Sequence, residues 1–151
     1  MTHLKEGDQA PDFSGPNQNG ETISLSDFKG QKLVIFFYPK DNTPTCTEEA
    51  CNLRDNYGLL KKNGYAVVGV SADSQRKHQN FIKKFDLPFP LIADTEQTML
   101  NAYGVWGEKQ MFGKKYMGIF RTTFVVDEKG KIERIIGKVT AKDHAAQILA
   151  A

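Results

Sequence analysis

The sequence is short of cysteine, of long apolar runs and of net charge, and each shortage excludes a class of protein. Only two of the 151 residues are cysteines, too few for the disulfide scaffold of a small secreted domain. No run approaches about 18 consecutive apolar residues, so we expect neither a transmembrane helix nor a membrane partner. The 20 basic and 18 acidic residues leave a net charge of +2, which predicts no nucleic-acid partner.

The start of the chain, MTHLKEGDQAPDF, is polar and lacks the apolar core of a signal peptide. We therefore expect a cytoplasmic protein, in which thiols are kept reduced and disulfides are usually transient and catalytic. The length suits one domain, residues 1–151, with a core large enough to fold without a disulfide. Both expectations argue against a structural disulfide.

Hydrophobic patterning predicts strands that alternate with helices, and hence an α/β fold with a mixed sheet covered on both faces. The runs KLVIFFYP and YAVVGVSA are typical of strands buried on both sides. Helical spacing predicts one helix from about Thr45 to Lys62, a second in SQRKHQNFIKKF and a short third in TEQTMLNAYG. The remaining predicted elements are a short strand in ETISLSDFKG, another in PLIAD, a loop with one strand in GEKQMFGKKYMG, a hairpin in RTTFVVDEKGKIERIIG, and a final amphipathic helix, TAKDHAAQILAA, capped by Thr140.

Both cysteines lie in FFYPKDNTPTCTEEACNLRD, directly after the first buried strand. Open α/β sheets place their ligands outside the carboxyl ends of such strands. Thr43 and Pro44 fit the N-cap and first position of the following helix, which puts Cys46 in its first turn. Unpaired N–H groups and the helix dipole favour an anion there, and the thiolate is the reactive form of cysteine.

Nearby acidic residues oppose such a thiolate, so the site needs a cation. Glu48 and Glu49 follow Cys46 closely in the sequence. Arg54 lies two helical turns away and points to a different side of the helix. Arg121, at the start of a strand rich in β-branched residues, is the better candidate, although spacing alone does not place it near the cysteine.

The spacing of Cys46 and Cys51 distinguishes a permanent structural disulfide from a redox-active pair. In an intact helix, residues five apart have Cα atoms roughly 8–9 Å apart. A disulfide requires about 7 Å or less. A bond between these two cysteines therefore requires the segment CTEEAC to unwind, which favours a two-state redox switch.

Two plainer interpretations of the cysteines are a metal site and a pair of inert buried thiols. Structural zinc takes about four ligands, and the three histidines, His3, His78 and His144, are too scattered to complete such a set. We therefore expect no metal. Buried cysteines without any chemistry are common, and only their position at the loop–helix junction argues otherwise.

The segment FYPKDNTPTCTEEAC resembles the active-site pattern of the peroxiredoxins, in which a proline, a threonine and a cysteine recur at fixed spacing. Here these are Pro39, Thr43 and Cys46. The second cysteine, five residues on, is similar to that of the peroxiredoxin Q subgroup, also called bacterioferritin comigratory protein. RTTFVVDEKGKI resembles the family's strand that carries the active-site arginine, here Arg121, and the likeness extends over nearly the whole chain.

This resemblance implies a thioredoxin-like fold, with a central mixed β-sheet flanked by helices and an N-terminal β-hairpin extension. It implies reduction of hydrogen peroxide and organic hydroperoxides, recycling by thioredoxin or a similar dithiol reductant, no cofactor, and a monomer more often than a dimer. By position, Cys46 is the peroxidatic and Cys51 the resolving cysteine. Thr43 and Arg121 bind and polarise the peroxide, Pro39 shields the thiolate, and Glu49 is a more distant polar partner.

Two other functions fit a thioredoxin-like fold. A disulfide oxidoreductase that acts on proteins usually has two residues between its cysteines, whereas four separate them here. A binding module without catalysis would have no use for Thr43, Cys46 and Arg121 together.

Overall fold

The computed structural model describes residues 2–150 and contains the expected mixed central sheet. Its strand order is β5-β4-β3-β8-β9, with β3 parallel to β4, β4 parallel to β5, and β8 antiparallel to both β3 and β9. A separate antiparallel pair, β1 and β2, forms the N-terminal hairpin that the resemblance implied. Within the described residues the strands are β1 Ser14–Pro16, β2 Thr22–Ser24, β3 Lys32–Phe37, β4 Tyr65–Ser71, β5 Leu91–Ala93, β6 Trp106–Met111, β7 Lys114–Ile119, β8 Thr122–Val126 and β9 Ile132–Ile136.

The predicted helix from Thr45 to Lys62 is wrong as a single element, because two helices cover that span. The chain leaves helical geometry at Asn56 (φ −110°, ψ 11°), whose side-chain amide donates to the Asn52 carbonyl at 2.9 Å. An asparagine amide that bonds the backbone locally competes with the helical ladder. The helices are α1 Pro44–Asp55, α2 Tyr57–Lys62, α3 Gln75–Phe85, α4 Thr98–Ala102 and α5 His144–Leu149.

Two further predictions are corrected by the structure and another is confirmed. GEKQMFGKKYMG forms both strands of the β6–β7 hairpin, since Phe112 (φ 52°) and Gly113 (φ 76°) make the left-handed turn that hairpins favour. The short strand predicted in ETISLSDFKG is confirmed as β2, and a 3₁₀ turn over Leu25–Phe28 follows it. The last helix begins with a 3₁₀ turn, and the Thr140 side chain makes no capping bond.

The sheet separates two apolar layers, and β3 contributes alternately to both. Leu33, Ile35 and Phe37 face the layer that contains α4 and the start of the chain. Val34 and Phe36 face the layer formed with α1, α3 and α5. Cys46 is buried in this second layer, so its environment depends on how α1 packs against the sheet.

None of the helices within residues 2–150 is both long enough and apolar enough to cross a lipid bilayer.

The close packing of β4 gives a test of the fold at Gly69. A Cβ atom there would lie 2.6 Å from Leu91 Cδ2 and 2.7 Å from Phe36 Cζ. We expect Gly69→Ala to lower the free energy of unfolding by about 1–3 kcal/mol, the usual cost of overpacking. The measurement is urea denaturation.

Gly58→Ala is the matched control, because Gly58 lies in α2 with nothing within 4 Å of its added Cβ. Alanine has the higher helix propensity, so this variant should be up to about 1 kcal/mol more stable than the parent. Equal stability of the two variants would contradict the packing described around Gly69.

Candidate active site

Helix α1 begins beside the end of β3 and presents Cys46 as its third residue. Thr43 occupies the N-cap position and Pro44 the first helical position, as predicted. The first helical bond joins the Thr47 N–H to the Thr43 carbonyl at 2.8 Å, so the Cys46 N–H precedes the hydrogen-bonded ladder. The Cys46 sulfur therefore lies in the turn where the helix dipole favours a negative charge.

The buried face of α1 carries the functional groups. Cys46, Glu49, Ala50 and Leu53 follow helical spacing and are all buried. Cys51 lies off that face and is half-buried. Both cysteines are free thiols on one intact helix, which confirms the geometry that keeps them apart.

Arg121 is the cation that the site requires. Its Nη2 donates to Cys46 Sγ at 3.1 Å, and its Nη1 donates to Glu49 Oε1 at 2.5 Å. Arg121 lies immediately before β8, next to β3 in the sheet, which explains how residues 75 positions apart meet. Arg54 instead donates to the Phe85 carbonyl at 2.7 Å and pairs with Asp55, as its place on another face predicted.

Glu49 is fully buried beneath Arg121, so its carboxyl group belongs to the interior and not to the solvent-exposed face of α1. Burial raises its pKa to about 7, although the Arg121 charge and hydrogen bond act in the opposite direction. Its second oxygen, Oε2, has no hydrogen-bond partner among the described residues. Glu49 thus lies at the boundary between its neutral and ionised forms near physiological pH.

His144, at the start of α5, is a neighbour of the candidate site that sequence reasoning missed. Its Nε2 lies 3.5 Å from Glu49 Oε2 and 2.7 Å from the Thr123 hydroxyl. Burial lowers the pKa of His144 to about 4, so near neutral pH the imidazole is uncharged and does not form an ion pair with Glu49. The sequence contains only a weak indication of this position. His144 lies on the apolar face of the last helix, one residue before Ala145 and four residues before Ile148.

Thr43 and Pro39 border the cysteine loop in different ways. The Thr43 hydroxyl donates to the Lys40 carbonyl at 2.8 Å and does not cap the helix, which corrects the capping role expected of its side chain. Since its hydrogen is already used, this hydroxyl is left as an acceptor for an incoming O–H group. Pro39 follows β3, is half-buried, and lacks a backbone N–H.

A buried polar cluster anchors the loop before α1. The Asp41 carboxylate accepts from the Tyr38 hydroxyl at 2.5 Å and contacts His78 Nδ1 at 2.6 Å. The Asp41 N–H donates to Asp73 Oδ2 at 2.7 Å, and the Ser71 hydroxyl bonds the same oxygen. Asp41, Asp73 and His78 thus bring three potential metal ligands together, although their atoms are already bonded to protein groups. The cluster therefore fixes the path of the cysteine loop.

Lys109, on β6, brings a second cation close to the site. Its Nζ donates to the Ile119 carbonyl at 2.8 Å, two residues before Arg121. Burial and the Arg121 charge lower its pKa, whereas the charge of Cys46 acts to raise it. The structure therefore gives Lys109 a defined place beside Arg121, in a segment for which the sequence predicted a glycine- and lysine-rich loop with one strand.

Comparison with known proteins places the geometry in a family context. A profile described as the AhpC/TSA family matches residues 6–135. The chain is 47% identical over 146 residues to a protein named putative peroxiredoxin bcp from Coxiella burnetii, covering 97% of each. It is 45% identical over 149 residues to peroxiredoxin Bcp of Escherichia coli K12, covering 99% of this chain and 96% of that relative.

Solved structures give the same result for the fold. Peroxiredoxin Q from Xanthomonas campestris matches with a TM-score of 0.88 and 35% identity, over 99% of this chain and 94% of that one. A PrxQ variant from Xylella fastidiosa matches with a TM-score of 0.92 and 30% identity, over 99% and 95% of the two chains. The arrangement of sheet and helices described above is therefore that of known thioredoxin-like proteins.

The Arg121–Cys46 contact predicts a measurable difference in thiol reactivity. We expect Arg121→Met to slow alkylation of Cys46 by iodoacetamide by roughly 10- to 100-fold, since a hydrogen bond to a charged group contributes about 1.5–3 kcal/mol. The rate is measured on reduced protein with Cys51 replaced by serine, so that Cys46 is the only thiol.

Arg54→Met is the matched control, because Arg54 contacts Phe85 and Asp55 on the other side of α1. This variant should be alkylated at the parental rate. Equal slowing in both variants would mean that Arg121 has no specific effect on the sulfur.

Proposed function

The chain belongs to the AhpC/TSA family and is a peroxiredoxin, a thiol peroxidase, and we propose that Cys46 is its peroxidatic cysteine and Cys51 its resolving cysteine. The observation that carries this assignment is the hydrogen bond from Arg121 to Cys46 Sγ in the first turn of α1. A sulfur anion held by a guanidinium at a helix N-terminus is a strong nucleophile that is already oriented.

In the first step, the Cys46 thiolate attacks one peroxide oxygen and the O–O bond breaks. Sulfur gives an electron pair to the attacked oxygen and becomes a sulfenic acid. The other oxygen leaves with the electrons of the broken bond and takes up a proton, giving water or an alcohol. Negative charge therefore moves from sulfur to the leaving oxygen during the reaction.

The residues around Cys46 stabilise that moving charge. The Arg121 guanidinium, already 3.1 Å from the sulfur, follows the charge onto the peroxide oxygens without reorganisation. Thr43 accepts the hydrogen of the incoming peroxide, because its own hydrogen is given to Lys40. Pro39 offers no N–H donor and shields the sulfur from water. Glu49 orients Arg121 through its Oε1.

In the second step, Cys51 condenses with the Cys46 sulfenic acid, forming a disulfide and releasing water. The two sulfurs are out of bonding range in an intact α1, so the helix unwinds across CTEEAC before they join. Unwinding also brings the disulfide to the surface, where an external thiolate attacks it.

We further assign hydrogen peroxide and organic hydroperoxides as substrates, and thioredoxin or a similar dithiol protein as the reductant. The half-buried position of Cys51 supports reduction from outside once α1 opens. We also propose a cytoplasmic monomer, since both cysteines of the cycle lie on one helix and the cytosol supplies thiol reductants.

Cysteine variants test the two roles separately. One equivalent of hydrogen peroxide should be consumed rapidly by reduced protein, with loss of two thiols. Cys46→Ser should abolish this consumption, because it removes the nucleophile. Cys51→Ser should keep the first turnover and accumulate a sulfenic acid that a dimedone probe captures. Stopped-flow peroxide measurement with thiol counting distinguishes these results, and rapid consumption by Cys46→Ser would refute the assignment.

Oxidation should also melt part of α1 and loosen its contact with α5. The Asn52 side chain accepts from the Ala145 N–H at 2.8 Å and donates to the Lys142 carbonyl at 2.7 Å. We expect far-ultraviolet circular dichroism to show lost helix in the disulfide form, and hydrogen exchange at the Ala145 amide to accelerate. Amides of the buried strand β3 provide the internal reference.

The Cys51→Ser variant is the control for this prediction, since it is oxidised at Cys46 but forms no disulfide. It should keep the helix content of the reduced protein. An unchanged helix signal in the disulfide form of the parent would show that the bond forms without unwinding.

A further inference from the structure

Arg121 bridges two acidic groups that cannot both ionise at low cost. One guanidinium contacts Cys46 Sγ and Glu49 Oε1, and both of these residues are buried. A thiolate and a carboxylate together would leave one uncompensated negative charge in an apolar layer. The centre therefore favours retaining one proton, which resides either on Glu49 or on Cys46. Only the first arrangement leaves Cys46 as the nucleophilic thiolate.

The hydrogen bonds of α5 determine which nitrogen of His144 carries hydrogen. The Gln147 amide is oriented by two contacts: its Oε1 accepts from the Thr140 N–H at 2.9 Å, and its Nε2 donates to the Lys138 carbonyl at 3.0 Å. His144 Nδ1 lies 2.9 Å from the same Oε1, which only accepts. Nδ1 must therefore be the protonated nitrogen, and in the neutral ring Nε2 presents a lone pair.

Nε2 lies beside the unpartnered oxygen of Glu49 and has no hydrogen to donate to it. Nε2 accepts from the Thr123 hydroxyl at 2.7 Å and lies 3.5 Å from Glu49 Oε2. Because Thr123 already occupies its single lone pair, Nε2 offers Glu49 neither a donor nor a free acceptor, and an ionised Oε2 would stay uncompensated beside an electron-rich nitrogen. The environment of Oε2 thus favours the neutral acid, in agreement with the pKa of Glu49 near 7.

We propose that His144 is a positioning residue that keeps the proton of the Arg121 centre on Glu49 and thereby leaves Cys46 as the thiolate. The importance of this for catalysis rests on the proposed function of Cys46, but the location of the proton does not. Because both arrangements contain the same number of protons, the balance between them is set by His144 and not by pH.

Two other cations lie near this centre, and neither contacts Glu49. Lys109 interacts with the charges of Arg121 and Cys46 from β6. Arg134, on β9, donates to the Gln147 and Ala150 carbonyls and, with Arg121, acts to lower the pKa of His144. Arg134 thus helps to keep the imidazole neutral and Lys109 favours an anion at the sulfur, so both support the same arrangement.

The test uses His144→Gln in protein with Cys51 replaced by serine. A glutamine amide can turn its NH₂ group towards Glu49 and stabilise the carboxylate, which moves the proton to Cys46. We expect the thiolate absorbance of Cys46 near neutral pH, and its alkylation rate, to fall by roughly tenfold, because a proton that moves to the sulfur removes the reactive form. Thermal unfolding measured in parallel reports any loss of stability separately.

A double-mutant cycle with Glu49→Gln distinguishes proton placement from a structural role. Glutamine at this position cannot hold or release the proton, so adding His144→Gln to Glu49→Gln should leave the thiolate fraction unchanged. The infrared band of a protonated carboxyl group should be present in the reduced parent and absent from Glu49→Gln.

Two results would overturn the proposal: an equal effect of His144→Gln with and without Glu49, or an unchanged thiolate fraction in His144→Gln alone. Neither would affect the peroxidase assignment, which depends on peroxide consumption by Cys46. Conversely, persistent peroxide consumption in Cys46→Ser would refute that assignment and leave the proton measurement intact.

Discussion

A single guanidinium shared by a buried thiol and a buried carboxyl group is the interaction on which the site depends. Arg121 reaches Cys46 and Glu49 only because β8 lies beside β3 and α1 packs over that part of the sheet. Burying three ionisable groups is costly unless their charges compensate one another. Arg121 with one anion and one neutral acid meets that condition. In the proposed arrangement the anion is the Cys46 thiolate and the neutral acid is Glu49.

The proposed mechanism requires helix α1 to be well packed for the first chemical step and able to unwind for the second. Its buried face places Cys46 and Glu49 together against the core, and Asn52 joins it to α5. The helix is only 12 residues long, because Asn56 interrupts it before α2 begins. A short helix with most of its stability in tertiary contacts is one that a local rearrangement can open without unfolding the sheet.

Local sequence was enough to predict the parts of the site that depend on neighbours in the chain. Thr43, Pro44 and Cys46 could be placed at a helix start because capping and proline preferences act over a few residues. Arg121 could be selected by its resemblance to a known strand, but its contact depends on sheet order. His144 and Lys109 approach from distant elements, and no local pattern indicates that pairing. The β6–β7 hairpin was missed since phenylalanine rarely occupies a left-handed turn position.

The opposite pKa shifts of Glu49 and His144 bear on how α1 opening depends on pH. The raised pKa of Glu49, about 7 against an ordinary 4.5, stabilises the closed form at low pH, and that stability is lost as pH rises through 7. The lowered pKa of His144, about 4 against 6.5, destabilises the closed form at low pH, and stability returns as pH rises through 6.5. When α1 opens and both groups reach water, their pKa values return to the ordinary 4.5 for Glu49 and 6.5 for His144. Between pH 4.5 and pH 6.5, the proton that Glu49 holds in the closed form is therefore held by His144 in the open form. The two dependences therefore largely cancel, so the proposed opening of α1 follows the redox state of Cys46 and not pH.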